Sequence, residues 1–235
     1  MVWCKPPARF DRSPNRYVLR HDTELWRVHR RPHGAWQFKG EPADVLWGGA
    51  RFDATDADKY PYLYAGLSPA AALGETLLRD VAPNGSGDRV ILNKEAAGRA
   101  ISMVTLTRDL NLVSLIDAES LGVIGQDRWL VDCSGHDYAF TRDWAHWVRR
   151  QAPWSHGFIW DSKRMPGEFA IVVFGDRLAR DFGDGYEQSL PGEVTGVQRN
   201  LGDRAGADWA SEQLRRYGAI VSRPGWLQVL RGGRA

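Results

Sequence analysis

The sequence predicts a mixed α/β fold of the α+β kind, on three observations. β-favouring runs open the ordered part of the chain, a helix capped by Ser68-Pro69 follows them, and two apolar strands come after an aromatic-rich helix in the second half. With 235 residues, 43% of them hydrophobic, the chain can bury a sizeable core as one domain.

Residues 1–24 carry Pro6, Pro7 and Pro14, many charges and no periodic apolar pattern, so they read as an extended arm. Ordered structure is expected from Leu25. Strand-like segments follow at 25–29, 45–52 and 60–67, with Gly48, Gly49 and Gly66 where the backbone bends or meets a neighbour closely. Ser68 and Pro69 fit an N-cap and first helical residue, and Ala70, Leu73, Leu77 and Val81 recur at helical spacing, which predicts a helix over 69–81. The run from Pro83 to Asp88 is a loop by its turn chemistry. Strands are expected at 101–106 and 112–115, a short helix at 117–123, and a helix near 142–152 capped by Thr141. Two apolar strands, 157–160 and 169–174, flank a polar connection. Beyond Gly183 the chain is glycine- and charge-rich until a helical stretch near 205–217. The expected organisation is an arm at 1–24, a main unit at 25–182, and a C-terminal extension at 183–235 packed on the same domain.

Several function classes are set aside on composition. Thirty-one basic residues against twenty-nine acidic ones leave a formal charge of +2, too small for the phosphate-coating surface of a nonspecific nucleic-acid binder, so no direct nucleic-acid binding is expected. No apolar stretch approaches the roughly 20 residues that span a bilayer, and the N-terminus lacks an apolar signal core, so neither a membrane nor secretion is expected. Two cysteines, Cys4 and Cys133, need no disulfide framework and suit a reducing cytoplasm. They form no paired zinc spacing. His29 and His33 are four apart but have Pro32 between them, so no metal is expected. The glycine-rich dinucleotide fingerprint, the lysine-containing phosphate loop and the Gly-x-Ser-x-Gly elbow of serine hydrolases are all absent.

What remains is a dispersed polar set. It comprises Arg27 in Leu-Trp-Arg-Val-His, Arg51 in Gly-Gly-Ala-Arg-Phe-Asp, Tyr64 in Tyr-Leu-Tyr-Ala-Gly-Leu-Ser, Glu75 in Ala-Leu-Gly-Glu-Thr-Leu-Leu, and Ser162 in Trp-Asp-Ser-Lys-Arg. In this order, over about residues 25–178, the motifs resemble the RES-domain family, named for an arginine, a glutamate and a serine. The resemblance implies an ADP-ribosyltransferase-like split β-sheet flanked by helices, with NAD+ as substrate and no bound cofactor. It further implies cleavage of the nicotinamide–ribose bond by hydrolysis or phosphorolysis, the latter using inorganic phosphate, in a toxin neutralised by a helix-turn-helix antitoxin. Transfer of ADP-ribose to a protein or other macromolecule is the alternative, and a non-catalytic nucleotide-binding or interaction module a third reading.

On that frame Glu75, Arg51 and Tyr64 are the expected catalytic residues. Arg27, Arg51, Tyr64, Ser162, Lys163 and Arg164 are expected to bind NAD+. Their chemistry suits the task. A carboxylate stabilises positive charge developing on the ribose, a guanidinium offers a planar fork to phosphate, and a tyrosine offers a ring or a hydroxyl. Read alone, Glu75 lies roughly opposite Leu73 and Leu77 and suits a solvated helix face; both readings hold if the helix lines a cleft edge. Where the family often has Trp-Asn after the arginine, this chain has Phe52-Asp53, which adds a negative charge near the expected phosphate site.

Overall fold

A computed structural model describes residues 5–44, 46–194 and 196–225. The start of the arm, the first residue of the segment expected as a strand at 45–52, and the end of the C-terminal extension lie outside the described residues.

The sheet begins within the expected arm. Strand β1 (Arg16–Leu19) pairs antiparallel with β6 (Leu110–Leu115), so ordered structure starts before Leu25. A four-residue edge strand is too short to display a period, which is why composition alone reads it as arm. The other large-sheet strands are β2 (Glu24–Arg30), β3 (Tyr62–Gly66), β5 (Arg99–Leu106), β7 (Gly157–Asp161), β8 (Phe169–Phe174), β9 (Gly192–Glu193) and β10 (Gln198–Asn200). Their order is β1-β6-β7-β8-β3-β2-β5-β10, with β9 also on β5; β6 and β7 run parallel and the other pairs antiparallel.

The sheet is split. β2 pairs with β5 along its whole length, from Glu24 to Arg30, but with β3 only at Trp26 and Gly66. The two halves part beyond that pair, and the functional residues sit at the opening. A small second sheet pairs β4 (Arg89–Ile91) in parallel with β11 (Ala219–Val221).

β7 and β8 are apolar on both faces because both are covered. Phe158, Trp160, Val172 and Phe174 join Trp144, Trp147 and Val148 of helix α5 (Tyr138–Gln151) on one side. Ile159, Ile171 and Val173 join Leu25, Leu63 and Leu112 on the other. A third cluster gathers Leu73 and Leu77 of helix α1 (Pro69–Leu77), Ile101, and Ala207 and Ala210 of helix α7 (Arg204–Leu214). Short helices α2 (Asn93–Ala96), α3 (Ala118–Val123), α4 (Trp129–Asp132) and α6 (Gly175–Phe182) are the other α-helices among the described residues.

Three expectations are corrected. Among the described residues of 45–52 there is no strand: Gly48 and Gly49 take positive φ, and the carbonyls a sheet partner would use accept instead from Arg142. Helix α1 stops at Leu77, short of Val81: Leu78 caps it at ψ 5°, its amide still bonding the Gly74 carbonyl, and the Val81 amide closes a turn back to the Leu78 carbonyl at 3.4 Å instead of extending the helix. Thr141 lies inside α5 rather than before it, and its hydroxyl donates to carbonyls instead of accepting from a helix-end amide. No described helix is long and apolar enough to cross a membrane.

Candidate active site

Arg51 sits in a loop fastened from several sides. The neighbouring Phe52 ring is fully buried and meets Phe158 and Trp160 edge-on, with centroids 5.5 and 5.2 Å away. The Phe52 amide donates to Tyr64 Oη at 3.0 Å, and its carbonyl accepts from Tyr60 Oη at 3.1 Å. Thr141 Oγ1 donates to the Arg51 carbonyl at 2.8 Å. Arg142, itself buried, donates to the carbonyls of Asp44, Gly48 and Ala50 just upstream. With the backbone held this way, the Arg51 side chain is directed inward and is 8% exposed.

Glu75 arrives on α1. Ser68 caps that helix by accepting from the Ala71 amide at 3.1 Å, and Pro69 occupies its first turn. Two glycines let the helix lie close to its neighbours. A Cβ at Gly66 would stand 2.5 Å from the Ala72 nitrogen, and one at Gly74 would stand 2.6 Å from Met165 Cγ. The Gly74 contact seats the 162–168 connection directly on α1, and this is what brings Ser162 to Glu75.

The polar geometry follows. Ser162 Oγ donates to Glu75 Oε1 at 2.6 Å and accepts from the Met165 amide at 3.2 Å. Arg51 Nη1 stands 3.5 Å from Glu75 Oε2. Arg51 Nε is buried without a hydrogen-bond partner. Burial acts against the Arg51 charge, but Glu75, with Tyr138, Cys133 and Tyr64, outweighs it and holds the guanidinium above its ordinary pKa, so it stays cationic. Burial, reinforced by Asp53, Tyr60 and Tyr62, holds the Tyr64 phenol well above its ordinary value, so it stays protonated.

Arg51, Tyr64, Glu75 and Trp160 line a cleft of about 810 Å³. A smaller cavity of about 30 Å³ lies where β2 parts from β3, between Trp26, Val28, Tyr64, Glu75 and Trp160. The arrangement presents one oriented carboxylate, one buried cation and an aromatic wall. Among the described residues no group of three or more His, Cys, Asp or Glu side chains is placed to hold a metal.

Four of the sequence-selected residues thus meet: Arg51, Tyr64, Glu75 and Ser162. Ser162 is fully buried and does not line the cleft; its hydroxyl donates to Glu75. Arg27 is not brought to the site. Along β2 it alternates with Trp26 and Val28, which face the smaller cavity, and it donates to the carbonyls of Ala35 and Gln37 at 2.8 and 2.6 Å. Burial lowers its pKa to about 10, which leaves it charged at neutral pH. Lys163 donates to the Asp132 carbonyl and Arg164 to the Arg79 carbonyl, and neither lines the main cleft. Asp53, expected to lend negative charge to a phosphate site, is buried in its own loop, accepting from the Ala50 amide at 3.0 Å and standing 3.6 Å from Lys39 Nζ.

Sequence reasoning missed Arg142, Thr141 and Tyr138 as organisers of this site. The Tyr138 ring lies 5.6 Å from the Arg51 guanidinium and 5.7 Å from that of Arg79, bridging the two cations. Only tertiary packing carries those roles; in sequence these residues are ordinary members of the first turns of α5.

Three comparisons bear on this geometry. A family model described as RES domain matches residues 24–191. No curated protein matches the chain in sequence. A chain of the M. tuberculosis MbcT–MbcA toxin–antitoxin complex, known from its crystal structure, superposes with a TM-score of 0.51 at 13% identity, over 78% of this chain and 86% of that one. At that identity the likeness is one of fold.

Proposed function

Because the chain belongs to the RES-domain family, we propose that it consumes NAD+ by breaking the nicotinamide–ribose bond, as the toxin of a toxin–antitoxin pair. The observation that carries this reading is Glu75. Its carboxylate is held on one oxygen by Ser162 and faces Arg51 with the other, in a cleft that also contains Tyr64 and Trp160.

The chemistry runs as follows. The bond between the nicotinamide nitrogen and ribose C1 breaks heterolytically, and its electron pair goes to the nicotinamide ring and cancels the ring's positive charge. Positive charge moves to the ribose, which becomes oxocarbenium-like, and a fixed carboxylate beside it stabilises that charge more than it stabilises the ground state. Arg51 orients Glu75 from the side of Oε2, while the Tyr64 and Trp160 rings wall the nicotinamide. A water oxygen then bonds to C1 and loses its proton to solvent, giving ADP-ribose. Inorganic phosphate in place of water gives the phosphorylated sugar. An antitoxin partner is supported by the family and by the fold likeness to a chain of a toxin–antitoxin complex.

The test is incubation of the purified protein with NAD+, with and without phosphate and with a cell lysate, followed by mass spectrometry. Free nicotinamide with ADP-ribose indicates hydrolysis, and with its phosphorylated form phosphorolysis; an ADP-ribosylated protein would move the reading to macromolecular transfer. Glu75→Gln is expected to lower turnover by at least about 100-fold with thermal melting preserved. Nicotinamide release in none of the mixtures, or an unaffected Glu75→Gln variant, would sink the proposal.

A further inference from the structure

The residues assigned above occupy only part of the cleft. Its remaining wall includes Arg79, Asp80 and Val81 beyond α1, Val90 of β4, Leu92, Lys94 and Glu95 of α2, and Arg99 at the start of β5. This wall combines an apolar surface with three cations, Arg79, Lys94 and Arg99, and two carboxylates, Asp80 and Glu95, and the cations of the cleft differ in how they are engaged. Arg51 faces Glu75 at 3.5 Å, and Lys94 stands 3.8 Å from Glu95. Arg79 and Arg99, by contrast, contact backbone carbonyls: Arg79 Nη1 donates to Gly49 at 3.1 Å and Arg99 Nε to Glu95 at 2.9 Å. Among the described residues neither forms an ion pair. A guanidinium has five N–H donors, so each keeps donors for an anion.

The same wall is held by chain beyond residue 191, outside the family match. The Leu201 amide donates to the Arg99 carbonyl at 3.0 Å, and β10 continues the pairing at Ala100. The Asn93 amide donates to Ser222 Oγ at 2.8 Å, and Asn93 Nδ2 donates to the Gly202 carbonyl at 3.2 Å. β11 pairs with β4 through Val90. The C-terminal segment therefore fixes β4, α2 and the first residue of β5 as one unit.

We propose that this outer part of the cleft is the subsite for the ADP portion of the substrate, a site that rests on the NAD+ reading above. Arg79 and Arg99 bind the diphosphate, the wall of Val81, Val90 and Leu92 takes the adenine, and residues 198–222 build the subsite without touching the ligand. The inner residues are thereby left to the nicotinamide and its ribose.

The experiment compares NAD+ with nicotinamide riboside, which lacks the diphosphate and adenine, in the wild-type protein and in Arg79→Ala/Arg99→Ala. The expected result is a KM for NAD+ raised about tenfold per arginine, with kcat retained and the kcat/KM preference for NAD+ over the riboside collapsed. An unchanged preference would overturn the subsite. Titration calorimetry with ADP reads the subsite apart from catalysis. Binding to the wild type that weakens at least tenfold in the double variant, and recovers in part in Arg79→Lys/Arg99→Lys, supports the subsite even if no nicotinamide is released. No binding of ADP by the wild type, or equal binding by the alanine variant, overturns it. Melting curves establish that each variant is folded.

Discussion

Replacing Ser162 by alanine separates two roles for that hydroxyl. In the structure it is fully buried, donates to Glu75 Oε1 at 2.6 Å and accepts from the Met165 amide at 3.2 Å. The first bond has a charged acceptor, and such bonds contribute about 1.5–3 kcal/mol. If that energy serves to hold Glu75 where charge develops, its loss appears in the transition state, and kcat falls about 10- to 100-fold. KM stays near the wild-type value, because the hydroxyl does not face the cleft. A second consequence concerns stability: the Met165 amide loses the hydroxyl but keeps the Ser162 carbonyl at 3.2 Å as acceptor, so the cost is that of one ordinary hydrogen bond, about 0.5–1.5 kcal/mol, visible as a slightly lower urea midpoint with unchanged slope. Steady-state kinetics on NAD+ with nicotinamide release as the readout decide the matter. A kcat within threefold of wild type would refute the dependence of Glu75 on Ser162. A raised KM with kcat intact would return the serine to direct ligand binding, the role sequence reasoning expects of it.

Two further predictions concern the scaffold. His29, His146 and His156 are buried and their pKa values are lowered, in each case chiefly by that burial. At His156 burial outweighs the opposing pull of Asp181, whose carboxylate stands 2.9 Å from Nε2, while Nδ1 accepts from the Asn111 amide at 3.0 Å. The unfolded chain takes up protons at about pH 6.5 while the folded one resists, so stability is full above that pH and declines as pH falls through it. Urea midpoints at pH 7.5 and 5.5 are expected to differ in that direction; equal midpoints would contradict the burial argument. Arg149, 3% exposed, bonds Asp58 at 3.2 Å and Asp176 at 2.8 Å and lies 3.6 Å over the Tyr60 ring. Arg149→Ala removes the cation from Asp58 and the Tyr60 ring and leaves Asp176 with Arg177 alone, at 3.6 Å; it is expected to cost about 3 kcal/mol, the lower end for a broken buried pair, since both aspartates keep some solvent. A loss below about 1 kcal/mol by urea unfolding would count against that account.

What could be read from sequence, and what could not, divides along a physical line. Tyr62–Gly66, the Ser68-Pro69 helix start and the apolar runs of β7 and β8 carry their own local signals, so the segments that deliver Tyr64, Glu75 and Ser162 were legible. The segment at 45–52 was not, because the donor that takes up its carbonyls is Arg142, more than ninety positions away in sequence. Strand parity places Arg27 opposite Trp26 and Val28, but which face meets the cleft depends on where β2 parts from β3, a property of the assembled sheet. Glu75 shows the same limit in milder form. Helical geometry correctly puts it away from the Leu73–Leu77 stripe, and only the close seat at Gly74 turns that face from solvent into the edge of a cleft. The ordered motifs therefore identify which side chains converge, whereas the direction of each hydrogen bond is set by loops packed from elsewhere in the chain. By the same logic Arg79 and Arg99 escape a motif-based reading: what distinguishes them is the absence, among the described residues, of an ion-pair partner and, for Arg99, a backbone fixed by residues beyond the family match, and neither property is written in the arginines' own neighbourhood.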